Sequence, residues 1–287
     1  MFGEVKFLFQ MIPIARTLIL QTASLAVLVA MFGAGPATAR HFSTQKIEEL
    51  TPMQREIERQ RRRLKSEDIE ERRDALMRLG NLKQPEAARV AATGLTDIAP
   101  IVRVTAARAI MSLPHAEAAA LLIPFLQDKL EFVRRETAYA LGETRSSAAV
   151  GPLTNSLLSD KEMSVRSAAA VALGEIGDES ALEPLSQVLA GQAPTKKKAK
   201  AGEDDFVRRA AARSLGQIKS RSSVRVLIDT LTNDRNDVEI RREAATALGL
   251  IGDNSAGPAL QSAFTASDPY LSEAARVALR RLRASKD

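Results

Sequence analysis

Four ten-residue segments that repeat one pattern determine the fold of this chain. Each begins with a branched aliphatic residue and an arginine and ends with a glycine: VRRETAYALG at Val133–Gly142, VRSAAAVALG at Val165–Gly174, VRRAAARSLG at Val207–Gly216 and IRREAATALG at Ile240–Gly249. Weaker copies of the pattern occur at Glu71–Gly80, Val102–Met111 and Leu271–Arg280. Measured between the second residues of successive copies, the spacings are 31, 31, 32, 42, 33 and 31 residues. A period of this length indicates a stack of structural repeats.

Within each copy, apolar residues recur at the spacing of one helix face. Val165, Ala169 and Leu173 stand at positions i, i+4 and i+8, which predicts an amphipathic α-helix. A second apolar stretch, such as Ala181–Leu189, follows it. The helix is preceded by a leucine-polar-aspartate motif whose carboxylate suits an N-cap region: Leu95–Asp97, Leu126–Asp128 and Leu158–Asp160. Each unit is therefore expected to be a helix–turn–helix that buries its apolar side by stacking on its neighbours.

The whole motif, Asp-x4-Val-Arg-x2-Ala-Ala-x-Ala-Leu-Gly, resembles the HEAT-like repeats of the phycobilisome-lyase type over about Asp68 to Arg283. The resemblance implies an all-α fold, a right-handed α-solenoid of about seven HEAT-like helical hairpins. It also implies that the second helices line a concave surface, which in such proteins commonly holds another protein. The same repeats serve many unrelated roles, so the resemblance is specific for fold and not for activity.

Helix-end signals refine this division of the chain. Gly177 and Gly252, each followed by aspartate, are typical of the residue that ends a helix in a left-handed conformation. Thr51–Gln54 reads as a capping box that opens a helix running to about Lys65. We therefore divide the chain into a capping helix within residues 40–67, a solenoid over 68–283 with a basic loop insertion near 192–204, and a tail at 284–287.

Residues 1–39 have the pattern of a signal peptide or a membrane anchor. Arg16 precedes the uncharged stretch Thr17–Ala39, which contains glycine and proline breakers and ends in Ala37-Thr38-Ala39. These features favour cleavage before Arg40, and an uncleaved anchor remains the alternative. Met11 could be the true start. In either case we expect an exported bacterial protein, located in the periplasm or anchored in the membrane facing outside the cytoplasm.

Composition argues against most enzyme chemistry. The chain has no cysteine, two histidines, no tryptophan and 4% aromatic residues, which leaves little material for thiolate chemistry, metal ligation or base stacking. The net charge of +6 is only a mild bias toward anionic partners. We predict no catalytic, cofactor-binding or metal-binding residues and no cofactor.

Two sets of basic residues could contact an anionic partner. The repeat arginines stand in one register, where we expect them to pair with aspartates such as Asp97, Asp128 or Asp160 between stacked turns, and therefore to be structural: Arg72, Arg103, Arg134, Arg166, Arg208 and Arg241. The other set consists of two clusters that could instead be ordinary helix-surface or loop charges: Arg61, Arg62 and Arg63, and Lys196, Lys197, Lys198 and Lys200.

The function that the sequence favours is a non-catalytic scaffold that binds a protein partner along the solenoid. One alternative is an enzyme of the wider family, a bilin lyase or an iron-dependent hydroxylase. The resemblance to the hydroxylase implies paired His-Glu dyads, and no His-Glu dipeptide occurs in this chain, where His115 is followed by Glu117 two residues later. The other alternative is weak binding of anionic ligands or nucleic acid, which export and the scarcity of aromatic residues disfavour. Membrane contact is expected only through an uncleaved N-terminal segment.

Overall fold

The computed structural model describes residues 50–192 and 203–284, and this part of the chain is all-α, as predicted. We number its α-helices in chain order. They are α1 Pro52–Arg63, α2 Ile69–Asn81, α3 Pro85–Ala91, α4 Pro100–Ala109, α5 His115–Leu122, α6 Glu131–Thr144, α7 Val150–Ser159, α8 Met163–Ile176, α9 Leu182–Leu189, α10 Glu203–Ile218, α11 Val224–Thr232, α12 Val238–Ile251, α13 Gly257–Phe264 and α14 Pro269–Ala284.

The helices alternate between two kinds. The even-numbered helices contain the repeated Val-Arg motif and are called here the Val-Arg helices, and the odd-numbered helices from α3 onward are the short helices. From α4 onward, each Val-Arg helix packs on the short helix before it and on the Val-Arg helices on either side. The packed hairpin is therefore a short helix followed by a Val-Arg helix, joined by the aspartate loop, whereas the sequence suggested the opposite order. Six such hairpins, α3–α4 to α13–α14, follow α2 in the described residues, and the seven Val-Arg helices stack as the predicted α-solenoid.

Small residues allow the Val-Arg helices to approach closely. Val165, Ala169 and Leu173 of α8 are fully buried, as their spacing predicts. A Cβ atom added to Gly216 of α10 would lie 2.7 Å from the Cα of Ala247 in α12. Equivalent glycines elsewhere meet the next Val-Arg helix in the same way, whereas neighbouring short helices touch each other at few positions. The core that results consists of alanine and branched aliphatic side chains.

The predicted helix ends are present. Backbone N of Gln54 donates to Oγ1 of Thr51 at 3.2 Å, and backbone N of Thr51 donates to Oε1 of Gln54 at 3.1 Å, which completes the capping box. Gly177 and Gly252 end α8 and α12 with φ of 75° and 76°. The aspartates of the loops were expected at the N-cap, and they lie two residues before it. Each accepts a hydrogen bond from the backbone N–H two residues later, in a turn that precedes the helix, as Asp160 does from Glu162 at 2.9 Å.

The last helix closes the stack with polar side chains. Arg276 and Arg280 of α14 occupy the register positions that Ala245 and Gly249 hold in α12. Ala245 is fully buried against its neighbours, whereas the Arg276 side chain is 46% exposed. A polar outer surface of this kind is what a terminal repeat needs, because no further repeat covers it.

Several predictions concern other parts of the chain. The predicted leader at residues 1–39, the lysines of the insertion and the last three residues lie outside the described residues. Within the described ranges, none of the helices combines the length and the apolar character needed to span a bilayer.

Candidate interaction surface

A row of buried arginine–aspartate pairs joins successive hairpins. The pairs share one register, and Arg103 hydrogen-bonds its aspartate through Nη2 whereas the other two arginines do so through both Nε and Nη2: Arg72–Asp97, Arg103–Asp128 and Arg134–Asp160. In the last of these, Nε and Nη2 of Arg134 donate to the two carboxylate oxygens of Asp160 at 2.7 and 3.0 Å. Both side chains are nearly inaccessible, at 8% and 10% exposure. Bidentate pairing in a buried setting uses up the hydrogen-bonding capacity of these groups, so they hold the stack together and do not present charge to a ligand.

The backbone links these pairs into a continuous network. The Asp160 carboxylate accepts from Arg134 of the preceding hairpin, while the Asp160 backbone carbonyl accepts from Nη1 of Arg166 at 3.1 Å. The loops of Asp97 and Asp128 repeat this arrangement. Each of the three aspartate loops is thus hydrogen-bonded by the repeat arginine of the Val-Arg helix before it and by that of the Val-Arg helix after it.

The pattern changes in the later repeats. Nε of Arg208 donates to the carbonyl of Leu189 at 2.9 Å, its Nη2 donates to Oδ1 of Asn236 at 2.7 Å, and its ion pair is with Asp205 of its own helix. Nε of Arg241 donates to a backbone carbonyl of α11 at 2.9 Å, and no described carboxylate lies within ion-pair distance of it. The prediction of an inter-repeat aspartate partner is therefore wrong for Arg208 and Arg241. For Arg208 the reason is that an asparagine stands in the loop that it contacts.

Acidic side chains contact each arginine of the basic cluster at the end of α1. Arg61 and Arg62 lie 3.5 and 3.6 Å from Glu58. Arg63 donates to both Glu71 and Asp74 of α2, at 3.2 and 2.6 Å. These contacts are helix-surface and inter-helix pairs, in which Arg61 and Arg62 share one carboxylate and remain more than half exposed. The second predicted cluster, Lys196, Lys197, Lys198 and Lys200, lies outside the described residues.

Within the described residues, the histidine that the sequence offers for metal ligation is His115. His115 is exposed at the first turn of α5, and the nearby Glu117 is engaged by Arg89 of α3, whose Nε donates to it at 2.9 Å. No group of three or more histidine, aspartate or glutamate side chains in the described ranges is placed to hold a metal ion. A polar cleft of about 300 Å³ opens beside Asp160, lined by side chains of the arginine–aspartate network.

Phe125 packs against the core, and the other aromatic side chains of the described residues lie outside it. The described residues contain six aromatic side chains in all, and none is buried: Phe125, Phe132, Tyr139, Phe206, Phe264 and Tyr270. Four lie on the exposed side of the Val-Arg helices, which we call the outer face. Phe132, Phe206 and Tyr270 stand two residues before the repeat-arginine position, and Tyr139 stands five residues after it. Phe206 and Tyr270 are 55% and 67% exposed.

Arginines hold three of these rings. The Arg209 guanidinium lies 4.2 Å from the centroid of the Phe206 ring within α10. Arg135 lies 5.5 Å from the Phe132 centroid, and Arg242 of α12 lies 5.3 Å from the Tyr270 centroid. Cation–π contacts of this kind orient a ring while leaving its far side open to solvent.

Ion pairs across neighbouring helices complete the outer face. They connect residues one repeat apart: Arg108–Glu136, Arg209–Glu239 and Arg213–Glu243. Because each pair joins two Val-Arg helices, the long side chains of the outer face are held in place, and a partner would meet an already ordered surface.

The exposed side of the short helices is different. Gly151 and Asn155 are exposed on α7, Glu183 on α9, and Gln261 and Ser262 on α13. Most of these side chains are short or polar, although Arg225 of α11 and Phe264 of α13 are exposed as well. The family resemblance implies a binding surface on the second helices, which the sequence identified with these short helices. The outer face of the Val-Arg helices was not singled out from the sequence. The signal is present in the sequence, since aligning the copies places Phe132, Phe206 and Tyr270 in one register.

A profile of HEAT repeats matches this chain at residues 61–142, 122–197 and 193–280. Among solved structures, the complex of CpcE and CpcF of phycocyanin lyase from Nostoc sp. PCC7120 is similar at 24% identity and a TM-score of 0.47, covering 83% of this chain and 89% of that one. Human deoxyhypusine hydroxylase is similar at 20% identity and a TM-score of 0.41, covering 87% and 91%. A designed armadillo repeat protein is similar at 19% identity and a TM-score of 0.36, covering 78% and 98%. No curated protein matches this sequence. Since the matched repeats span most of its length, the chain belongs to the HEAT repeat family.

Proposed function

We propose that this chain is a non-catalytic scaffold that binds a partner protein on the outer face of its Val-Arg helices. The observation that carries the proposal is the placement of the aromatic residues. The buried core contains no phenylalanine or tyrosine, while four of the six described aromatic side chains lie on the outer face. Aromatic and arginine side chains are the residue types most enriched among those that dominate protein–protein binding energy.

The physical argument is that exposed rings are unfavourable unless something covers them. Phe206, more than half exposed, leaves a large apolar area in water that burial against a partner would remove, worth about 25 cal/mol per Å² before the costs of association. The guanidinium of Arg209 already restrains this ring. Binding would therefore order few additional side chains.

Two of the alternatives, the hydroxylase and the anionic-ligand site, each require a particular arrangement of side chains. A hydroxylase of the wider family would need a cluster of metal ligands, and the exposed His115 stands apart from any such cluster in the described ranges. A site for anionic ligands or nucleic acid would need unpaired basic side chains, and Arg63 is paired with Glu71 and Asp74. Stoichiometric iron in the purified protein would favour the hydroxylase and count against the scaffold.

We also propose that the chain is exported, on the strength of the uncharged segment Thr17–Ala39 and the small residues Ala37 and Ala39. Amino-terminal sequencing of the protein recovered from cells tests this. A mature terminus at Arg40 supports export, and a terminus at Met1 or Met11 in a cytoplasmic fraction contradicts it.

The scaffold proposal is tested by site-specific photocrosslinking in the cells that produce the protein. A photoreactive phenylalanine analogue at position 206 is expected to crosslink one partner protein, and the same analogue at position 264 is the control. Phe264 is a matched choice because it is 39% exposed but lies on the short helix α13. Equal crosslinking from both positions, or none from position 206, would contradict the proposal.

A further inference from the structure

The outer face has a depression along α8. The stripe of α8 that faces outward consists of Ser164, Ser167, Val171 and Glu175, spaced over twelve residues so that all four lie on one side of the helix. Three of these four side chains are short. In most of the other Val-Arg helices, the position of Ser167 carries an arginine or a glutamate. Short side chains on a helix whose neighbours carry long ones leave a groove one helix wide, which we call the α8 groove.

Long side chains form both walls of the α8 groove. On α6, Phe132 and Tyr139 occupy the registers of Ser164 and Val171. On α10, Phe206 and Arg213 occupy these registers. The spacing of the three helices is fixed from below. Gly142 of α6 closely contacts Ala172 of α8, and Gly174 of α8 closely contacts Ser214 of α10. The helix spacing beneath the groove is therefore fixed by close packing of the helices, whereas its walls are formed by side chains.

One end of the groove is acidic. Glu143 and Glu175 close it at the carboxyl-terminal ends of α6 and α8, where the helix dipoles are also negative. Neither carboxylate has an ion pair within 4.0 Å among the described residues. Partial burial and the charge of Glu143 raise the pKa of Glu175, and Arg145 only partly offsets this. Two like charges at adjacent helix ends without a close counter-charge favour a cation from elsewhere.

We propose that the α8 groove binds a segment of another protein that is apolar along its length and carries a lysine or arginine at the end that meets Glu143 and Glu175. The proposal rests on the scaffold function, and it adds where the partner lies and which chemistry the groove recognises. The apolar part of the segment would cover Val171 between the rings of Tyr139 and Phe206. The basic group would neutralise the two carboxylates.

The test selects random 16-residue peptides displayed on phage against the full chain and measures the affinity of the enriched peptides by fluorescence anisotropy. We expect enrichment of peptides with an apolar middle and a basic residue at one end. Val171→Arg should lower their affinity at least tenfold by filling the groove. The substitution should not disturb folding, because Arg108 and Arg213 naturally occupy the same register in α4 and α10. Thr246→Arg, in that register on α12, is the matched control and should leave the affinity unchanged.

The charge of the groove is tested separately. The double variant Glu143→Gln, Glu175→Gln should weaken a basic peptide about five- to tenfold, while the same peptide with glutamine in place of its basic residue should bind both proteins equally. Peptides that bind Val171→Arg as well as the parent, or that lack a basic residue, would overturn the groove proposal. If such peptides instead lose binding in Tyr270→Ala, the scaffold function stands without the groove. If no peptide is enriched, or if Val171→Arg abolishes self-association of the chain, the proposed occupant is wrong.

Discussion

The guanidinium of Arg134 and the carboxylate of Asp160 form a two-bond pair that joins successive hairpins, with Nε to Oδ2 at 2.7 Å and Nη2 to Oδ1 at 3.0 Å. Asp160→Ala would leave Arg134 charged in a nearly inaccessible site. It would also remove the hydrogen bond that the Asp160 carboxylate accepts from the backbone N of Glu162. Breaking one side of a buried pair costs about 3–5 kcal/mol of unfolding free energy. We expect a loss of this size in urea denaturation followed by circular dichroism.

An exposed pair on the same molecule provides the control. Arg225 and Asp229 are 3.2 Å apart, with 88% and 62% of their side chains exposed. Asp229→Ala should change the unfolding free energy by no more than about 0.5 kcal/mol, because exposed ion pairs contribute little. Equal losses for Asp160→Ala and Asp229→Ala would show that the buried network does not hold the hairpins together.

The first aspartate of the network should give stability a pH dependence on the acid side. Burial alone would raise the pKa of Asp97, but hydrogen bonds from Arg72 and from the backbone N–H of Ala99 outweigh it, and the pKa lies below the ordinary value of 3.8. A carboxyl group whose pKa is lower in the folded state stabilises the fold above its unfolded pKa, and this contribution is lost as pH falls through the folded value. Stability measured in urea from pH 7 to pH 3 should therefore fall below about pH 4.

Asp97→Asn isolates this contribution. The variant should be less stable than the parent at pH 7, and the difference should begin to shrink below about pH 4, where the Asp97 carboxyl takes up a proton in the unfolded parent before it does so in the folded parent. Asp229→Asn serves as the control and should follow the parent curve at every pH. A difference for Asp97→Asn that stays constant down to pH 3 would contradict the assignment.

The sequence predicts the fold well and the interaction surface poorly, for a physical reason. The burial of Val165, Ala169 and Leu173 can be predicted from the sequence, because the spacing of apolar residues shows which side of a helix is buried. The partner of Arg208 could not be read in this way, because it depends on a loop 28 residues away. The outward rings were also missed, because a lone Phe206 in an amphipathic helix resembles any apolar residue until its exposure is known.

A buried serine offers a stabilising substitution. Ser223 is 1% exposed at the start of α11, and its hydroxyl has no hydrogen-bond partner among the described residues. Three other hairpins place a fully buried alanine at this position: Ala149, Ala181 and Ala256. An unsatisfied buried hydroxyl costs about 1–3 kcal/mol, so Ser223→Ala should raise the unfolding free energy by about 1 kcal/mol.

The neighbouring serine is a matched control. Ser222 is exposed, and its only described side-chain contact is a long hydrogen bond of 3.4 Å from Ser220. Ser222→Ala should therefore leave stability within about 0.5 kcal/mol of the parent. A lower thermal midpoint for Ser223→Ala than for Ser222→Ala would mean that the Ser223 hydroxyl is satisfied after all.

The glycines near the ends of the Val-Arg helices allow the closest helix contacts, so replacing them should destabilise the fold. A methyl group at Gly216 would lie 2.7 Å from the Cα of Ala247, a backbone atom that can move only if α12 moves. Overpacking of this kind costs about 1–3 kcal/mol, and Gly216→Ala should lower the thermal midpoint accordingly. Gly151 in the short helix α7 is helical as well, yet a Cβ there would meet nothing within 4 Å. Gly151→Ala should therefore raise stability by about 0.5 kcal/mol through helix propensity. Because the two substitutions are chemically identical, opposite signs would show that helix spacing is set by glycine contacts, and equal signs would show that it is not.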